Sequence, residues 1–415
     1  MNLKKNRFAN MPLVFVGLLL FCCASVSAQG NKTLVVDDNL ACPGATYSSI
    51  QAAVAAAPAG ATINVCPGVY NEQVRINKPL TVRGVEFANQ NAAIVKPAPA
   101  LPNSTGTTSG IPIAAIILAE NAARINLENL TVDGATNGIN GCAPVLVGVY
   151  YRNASGTMDS LAARNVRLGT GLEGCQSGLG ILVQSSTGNE SKVDIFNNSV
   201  HDYQKNGITA NEAGTDVWVK GNAVTGIGPT AAIAQNGIQI GFGAKGRIED
   251  NSVINHIYSL CVSVSDCSFS ASNIIIQDSN DVRVTKNNVG KSQTNIFVIG
   301  NGADVKDNTV FDTDVFDGIA LIGDNNKVQN NRIFNSDEAG VFVMGNNNKV
   351  KTNTINEAPI GILEFAPSSG NDFNPNRFFN TVVNIVPAAP SAAAPSNSLQ
   401  RSGASDRAPA STIQP

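Results

Sequence analysis

Residues 317–321 read DGIAL, residues 339–343 read AGVFV and residues 360–364 read IGILE. The glycines of these three segments are 22 and 21 residues apart. A second element lies before and between these segments. It has the form V-x-x-N-x-V, with Ile accepted at either end, and its asparagines are residues 308, 331 and 353. Weaker copies of this element have asparagines at 198, 222, 251 and 287. A repeat of this kind indicates a solenoid in which each unit stacks on its neighbours.

The strands within one repeat are two to five residues long, which is too short for an independent sheet. No helical period of ten or more residues lies between them, which disfavours an α/β fold. The sequence therefore predicts an all-β fold, a right-handed parallel β-helix with about 22 residues per rung. Val and Ile should point inward and stack on their own kind. The repeated asparagine is expected at a turn, where it tolerates left-handed backbone geometry and where its amide bonds the next rung.

Three regions of the chain differ in composition. Residues 1–28 have a basic start, the apolar run Met11–Ala24 and small residues before Gln29, which predicts a cleaved signal peptide and a secreted or periplasmic protein without membrane insertion. Residues 29–386 should form the β-helix, beginning with a short capping helix around 48–54. Residues 387–415 are rich in Pro, Ala and Ser and are expected to be disordered.

The charge balance argues against nucleic acid as a partner. The whole chain has 28 basic and 31 acidic residues. Removing residues 1–28 takes away three basic side chains and no acidic one, which leaves 25 against 31. A mildly acidic chain with scattered charge has no electrostatic footprint for a phosphate backbone.

Six cysteines remain after removal of residues 1–28, and an even number in an exported protein favours disulfides. Fifteen connectivities are open for six cysteines. Proximity along the sequence favours the pairs Cys42–Cys66, Cys142–Cys175 and Cys261–Cys267.

The segment Tyr47–Val54, followed by Pro67–Glu72, resembles the opening of pectinesterases and of many members of the pectin-lyase-like β-helix superfamily. The later repeats are similar to those of the superfamily at large, including NosD-like periplasmic proteins. The resemblance covers roughly residues 34–386 and implies a right-handed β-helix associated with extracellular polysaccharides. The resemblance does not imply an activity. Residues 277–280 (QDSN) stand where pectinesterases have Gln-Asp-x-Leu, and the other esterase and polygalacturonase motifs are missing. No Met/His/Cys cluster supports copper binding.

By analogy with that superfamily, ligands should lie outside the strand that begins Gly-[Ile/Val]. Its outward positions are predicted to be Thr209, Gln239, Phe297, Ala320, Phe342 and Leu363. Among these we select Gln239, Phe297 and Phe342 as ligand-binding candidates, the two rings for stacking on sugars. Trp218 alternates with Val217 and Val219, so it should face outward on a different sheet as a second stacking candidate. The alternative is that these are ordinary exposed apolar residues.

Two charged turns are candidates for chemistry. One contains His201, Tyr203 and Lys205, where His and Tyr would act as a base–acid pair and Lys would neutralise a substrate carboxylate, as a uronate lyase or epimerase needs. The alternative is a solvated loop of ordinary polar residues.

The other turn is acidic and spans two rungs. Its carboxylates are Asp312, Asp314, Asp317, Asp337 and Glu338. With rungs about 4.8 Å apart, they would converge to share a proton or to bind Ca²⁺. The alternative is that the like charges splay into solvent. No other cofactor is expected.

Two classes of function remain. The first is an exported β-helix that presents a long surface to a polysaccharide or a cell-envelope glycan without catalysis. The alternative is a carbohydrate-active enzyme, a lyase or epimerase on uronate polymers before a glycoside hydrolase or a pectinesterase. Fold alone does not choose between them.

Overall fold

The computed structural model describes residues 32–86, 92–97, 99–267 and 269–388. The predicted signal peptide and all but the first two residues of the predicted tail lie outside the described residues. Within them the chain is a right-handed parallel β-helix, as predicted, with three long parallel sheets that run along its axis.

The strands of each sheet come from successive rungs and pair in parallel. Sheet 1 contains Thr33–Val36, Ala61–Val65, Leu80–Gly84, Ile125–Glu128, Gly156–Asp159, Ser191–Phe196, Thr215–Lys220, Lys245–Glu249, Arg283–Thr285, Asp304–Lys306, Lys327–Gln329 and Lys349–Lys351. Sheet 2 contains Gly68–Asn71, Ala93–Lys96, Leu130–Asp133, Ala162–Arg164, Ser199–His201, Ala223–Thr225, Ser252–His256, Asn288–Ser292, Thr309–Thr313, Arg332–Ser336, Thr354–Asn356 and Arg377–Phe379. Sheet 3 contains Val74–Ile76, Pro112–Glu120, Val145–Arg152, Leu179–Gln184, Asn206–Asn211, Asn236–Gly241, Ser272–Gln277, Thr294–Ile299, Ile319–Ile322, Ala339–Met344, Ile360–Phe365 and Val383–Val386. The short strand Ser104–Thr105 pairs antiparallel with Pro112–Glu120 at sheet 3.

The repeated asparagines form a ladder in the turn from sheet 1 to sheet 2. Each donates from Nδ2 to the Oδ1 atom of the asparagine one rung further along, at 2.9–3.0 Å, from Asn198 to Asn376. The same Oδ1 atoms also accept a backbone N–H of the previous rung. The predicted contact between rungs is confirmed, and it satisfies buried amide groups that would otherwise destabilise the turn.

The left-handed backbone conformation belongs to a different residue than expected. It is found one position before each ladder asparagine from Asn198 to Asn353, as at Asn197 (φ 54°), Gly221 (φ 69°) and Asn330 (φ 56°). The expectation that the ladder asparagines adopt this conformation was therefore wrong. The left-handed residue bends the chain between sheet 1 and sheet 2. The side chain of the next residue then points into the buried ladder.

The N-terminal end is closed by the helix Ile50–Ala56. Ser49 caps it by accepting the N–H of Ala52 at 3.2 Å, and Glu72 accepts the N–H of Ile50 at 2.8 Å. Ile50 and Val54 pack into the continuous core. The predicted capping helix is confirmed.

All three predicted disulfides are present; Cys261–Cys267 closes a local loop, whereas Cys142–Cys175 joins the loops of two adjacent rungs. Cys42–Cys66, Cys142–Cys175 and Cys261–Cys267 are separated by 24, 33 and 6 residues. The second and third belong to loops inserted between sheets 2 and 3. These insertions explain why the repeat spacing is irregular in the middle of the sequence.

Candidate functional site

The outer face of sheet 3 has the column of side chains that the sequence predicted. Residues in register run from Leu182 through Thr209, Gln239, Ile275, Phe297, Ala320 and Phe342 to Leu363. The column is polar at Thr209 and Gln239 and becomes apolar and aromatic toward the C-terminal end. The face therefore combines hydrogen-bonding and apolar surface along one line.

The polar part of this face is a connected amide network. The Gln239 side chain accepts from Asn206 Nδ2 at 2.9 Å and donates to Asn211 Oδ1 at 3.0 Å. Asn206 also donates to the Thr209 hydroxyl at 3.2 Å. Gln239 is buried, so it serves chiefly to hold this network in place.

The apolar part forms a cleft. Its lining consists of Ser270, Thr294, Phe297, Phe316, Asp317, Ala320, Ile322 and Phe342. Phe297 is 9% exposed and Phe342 is 2% exposed, so these rings form the floor of the cleft and are not an open stacking platform. Phe342 packs against Phe365 with ring centroids 6.0 Å apart. Phe316, in the turn beside the cleft, is partly exposed; sequence reasoning missed it because a residue in an irregular turn has no period.

The five predicted carboxylates do not gather at one point. Asp314 and Asp337 are hydrogen-bonded across adjacent rungs. The pKa of Asp314 is raised, mainly by burial and secondly by the charge of Asp337. Asp337 also accepts the N–H of Val315 at 3.0 Å. Asp312 accepts instead from Asn335 at 3.0 Å, and Glu338 is partly exposed in the following turn.

A metal site finds no support in this turn. Over the described ranges of the chain, no group of three or more His, Cys, Asp or Glu side chains is placed to hold a metal ion. Asp314 and Asp337 are the two carboxylates that meet, and after burial the charge of Asp337 contributes to the raised pKa of Asp314. Calcium binding by these carboxylates stays a prediction.

The structure does not bring His201, Tyr203 and Lys205 together. The His201 imidazole is half-exposed and contacts the neighbouring Asp202 at 2.7 Å. Tyr203 points into the core, where burial raises its pKa well above the ordinary value. Lys205 is buried and donates to Ala234 O at 2.6 Å. Because Tyr203 and His201 face opposite sides of the turn, they do not form a base–acid pair.

Tyr203 instead belongs to a buried polar chain that the sequence did not reveal. Its hydroxyl bonds His256 Nε2, and His256 Nδ1 bonds Asn273 Oδ1. Asn273 donates on to Asn295 Oδ1 at 2.6 Å, and Asn295 donates to the Thr313 hydroxyl at 2.7 Å. Burial lowers the pKa of His256 to about 4. A neutral ring satisfies both neighbours, donating from Nδ1 and accepting at Nε2.

Trp218 lies on sheet 1, away from the candidate face, as the alternation predicted. The Arg247 guanidinium lies 4.4 Å from its ring centroid, and Phe196 meets it edge-on at 5.1 Å. Its indole N–H donates to Glu249 at 3.3 Å. The cation–π contact covers the ring face that a sugar would need.

Comparison with known proteins agrees with the fold. A family model described as periplasmic copper-binding protein (NosD) matches residues 220–403, which is under half of the chain. The GH136 lacto-N-biosidase from Eubacterium ramulus is similar in structure, with 11% identity and a TM-score of 0.58 over 86% of this chain and 68% of that chain. The mannuronan C-5 epimerase A-module of Azotobacter vinelandii has 13% identity and a TM-score of 0.48 over 86% of this chain and 100% of that chain. No curated protein matches the sequence. At these identities the likeness shows the fold alone.

The histidines and cysteines that the structure describes do not fit a copper site. Copper favours His, Cys and Met donors. Both ring nitrogens of His256 are engaged by Tyr203 and Asn273, and His201 stands beside Asp202 with no second histidine near it. All six cysteines outside residues 1–31 are in disulfides.

The helices, the disulfides and the family match bear on where the protein is located. No helix among the described residues is long and apolar enough to cross a membrane. Three disulfides and the match to a periplasmic family agree with the predicted location outside the cytoplasm. The chain is an extracytoplasmic right-handed parallel β-helix, and its C-terminal part matches the NosD family of periplasmic proteins.

Proposed function

We propose that the protein binds a glycan along the outer face of sheet 3, without a requirement for catalysis. The observation that carries this proposal is the cleft in which Phe297 and Phe342 form the floor while Phe316 and Asp317 stand beside it. Apolar rings supply contact area for the C–H faces of a sugar, and the carboxylate accepts from its hydroxyls.

The regularity of the face supports a chain-like ligand. Successive rungs repeat every ~4.8 Å, so the same kind of contact recurs along the sheet. In register with the cleft residue Phe297, the preceding rungs place Ile275, Gln239 and Thr209, which are buried. A linear polysaccharide would therefore lie over the cleft and contact Phe316 and the apolar floor.

The structural likeness to a lacto-N-biosidase supports a carbohydrate ligand in general terms. The fold of that protein is related to this one at a TM-score of 0.58. The fold hosts several activities, so the likeness favours a class of ligand and not a reaction.

An array of neutral and acidic glycans, followed by calorimetry on each bound glycan, tests the proposal. Phe316→Ala should weaken binding at least tenfold, about 1.4 kcal/mol, because it removes the partly exposed ring beside the cleft. Trp218→Phe is the matched control on sheet 1 and should leave affinity unchanged. Failure of every glycan to bind, or equal affinity in Phe316→Ala, would overturn the proposal.

A second candidate function is hydrolysis or another acid–base reaction on the bound glycan, and the Asp314–Asp337 pair favours it. A carboxyl group whose pKa is raised beside a second carboxylate is a pairing that acid–base chemistry uses. The pair is separated from Asp317 and the cleft by only two residues of the turn. Release of new reducing ends or unsaturated uronate by the wild type, lost in Asp314→Asn, would support catalysis; no turnover on any bound glycan would exclude it for those glycans.

A further inference from the structure

A second cleft lies between two loops that connect sheets 2 and 3 and that each contain disulfide-bonded cysteines. Its lining consists of Gly174, Gln176, Lys205, Ala232, Ile233, Ala234, Tyr258 and Phe269. Gly174 and Gln176 flank Cys175 of the Cys142–Cys175 bridge, and Tyr258 and Phe269 flank the Cys261–Cys267 loop. The bridges restrain the two walls of the cleft.

Lys205 occupies a position that is filled by glutamine in two of the three rungs that follow. Asn206, Asn236 and Thr294 are in one register column, so the residues before them, Lys205, Gln235 and Gln293, are structurally equivalent.

The two glutamines attach the adjoining loops to the β-helix with three hydrogen bonds each. Gln235 donates to the carbonyls of Tyr203 and Gln204 and accepts the N–H of Ile227. Gln293 accepts the N–H groups of Tyr258 and Ala271 and donates to Tyr258 O. Glutamine is therefore the residue with which this fold fixes a loop at that position.

Lys205 makes fewer hydrogen bonds at this position than either glutamine. Its Nζ makes one protein hydrogen bond, to Ala234 O at 2.6 Å, although an ammonium has three hydrogens to donate. It belongs to none of the ion pairs among the described residues. Burying an amine in this way is costly unless an anion accompanies it. Burial lowers the pKa of Lys205 to about 7.

We propose that Lys205 is the anchor of a binding site for a carboxylate in this cleft. Lys205 and Ala234 both line the cleft, and the Ala234 carbonyl oxygen accepts from Nζ, so the amine lies close behind the cleft surface, where it is fully buried. A carboxylate oxygen accepts the remaining N–H groups and supplies the missing charge. One lysine balances one negative charge, which fits a carboxylate better than a dianion. Ile233 and Phe269 add apolar surface to the cleft, and Gln176 and Tyr258 offer further polar groups.

The test is calorimetric titration with acetate, and with acetamide as its uncharged counterpart. Wild type should bind acetate and not acetamide. Lys205→Gln should weaken acetate binding at least tenfold and keep the fold, since glutamine already occupies the equivalent position at Gln235 and Gln293. Lys192→Gln, which removes an exposed lysine, is the control and should bind acetate as wild type does.

Proton uptake separates this site from a merely structural lysine. At pH 8 an amine with a pKa of about 7 is mostly neutral, so acetate binding should take up nearly one proton, measured in two buffers of different ionisation enthalpy. Equal acetate affinity in Lys205→Gln, binding of acetamide, or binding without proton uptake would overturn the proposal. Phe316→Ala should leave acetate binding intact, which separates this site from the glycan cleft.

Discussion

Asn331 donates from Nδ2 to Asn353 Oδ1 at 3.0 Å and also to Val305 O at 3.0 Å. Its own Oδ1 accepts both the N–H and the Nδ2 hydrogen of Asn308, each at 2.9 Å. One buried side chain thus connects three successive rungs. The ladder holds the rungs in register where sheet 1 turns into sheet 2.

Replacing Asn331 with Ala should lower the free energy of unfolding by about 2–4 kcal/mol, because the buried N–H of Asn308 and the carbonyl of Val305 lose their partners. Urea unfolding monitored by circular dichroism measures the loss. Asn288→Ala is the control, since Asn288 is exposed at the start of its strand, and it should stay within ~0.5 kcal/mol of wild type. A loss in Asn331→Ala no larger than in this control would contradict a stabilising role for the ladder.

His256 makes stability depend on pH. Its folded pKa of about 4 lies below the ordinary value of 6.5, so between these pH values the unfolded chain binds a proton that the folded chain does not. The free energy of unfolding therefore falls as pH drops from about 6.5 to 4, by roughly 3 kcal/mol at 1.36 kcal/mol per pH unit.

Urea unfolding at several pH values measures this effect. His256→Gln should show a shallower dependence over the same range, whereas His201→Gln, at a half-exposed site, should keep the wild-type dependence. A wild-type slope retained in His256→Gln would mean that another group is responsible.

The acidic pair makes a separate prediction. Burial is the largest cause of the raised pKa of Asp314, and the charge and hydrogen bond of Asp337 are the next. Asp337→Asn removes that charge and that hydrogen bond. The pKa of Asp314 should therefore fall toward its ordinary value, as carboxyl ¹³C NMR titration measures. Asp312→Asn is the control because Asp312 bonds Asn335 and not Asp314. An unchanged pKa of Asp314 in Asp337→Asn would show that burial alone raises it.

Much of the fold was predictable because the repeat reports on it directly. Apolar inward residues and, from Asn198 onward, Asn at one turn recur from rung to rung, and stacking brings like side chains together. The outward column, including Gln239 and Phe342, follows from the two-residue period of a strand. The left-handed residue before each asparagine was not predictable, because Asn, Gly, Asp, Lys and Thr all occur there.

The chemistry of the turns was less predictable. Side chains in a turn have no fixed period, so the sequence does not show that Tyr203 faces inward while His201 faces solvent. The partner of Tyr203, His256, lies 53 residues further along the chain. The cleft at Lys205 is formed by inserted loops whose lengths vary from rung to rung, and no repeat relates its walls.

Hydrogen–deuterium exchange, with and without a glycan identified on the array, tests the central claim most directly. We expect slower exchange in the strands Thr294–Ile299 and Ile319–Ile322 and in the turn 312–318, because the glycan covers the cleft on the outer face of sheet 3. Exchange in Thr215–Lys220 of sheet 1 should not change. Protection confined to sheet 1 around Trp218, with none at the cleft, would contradict the account.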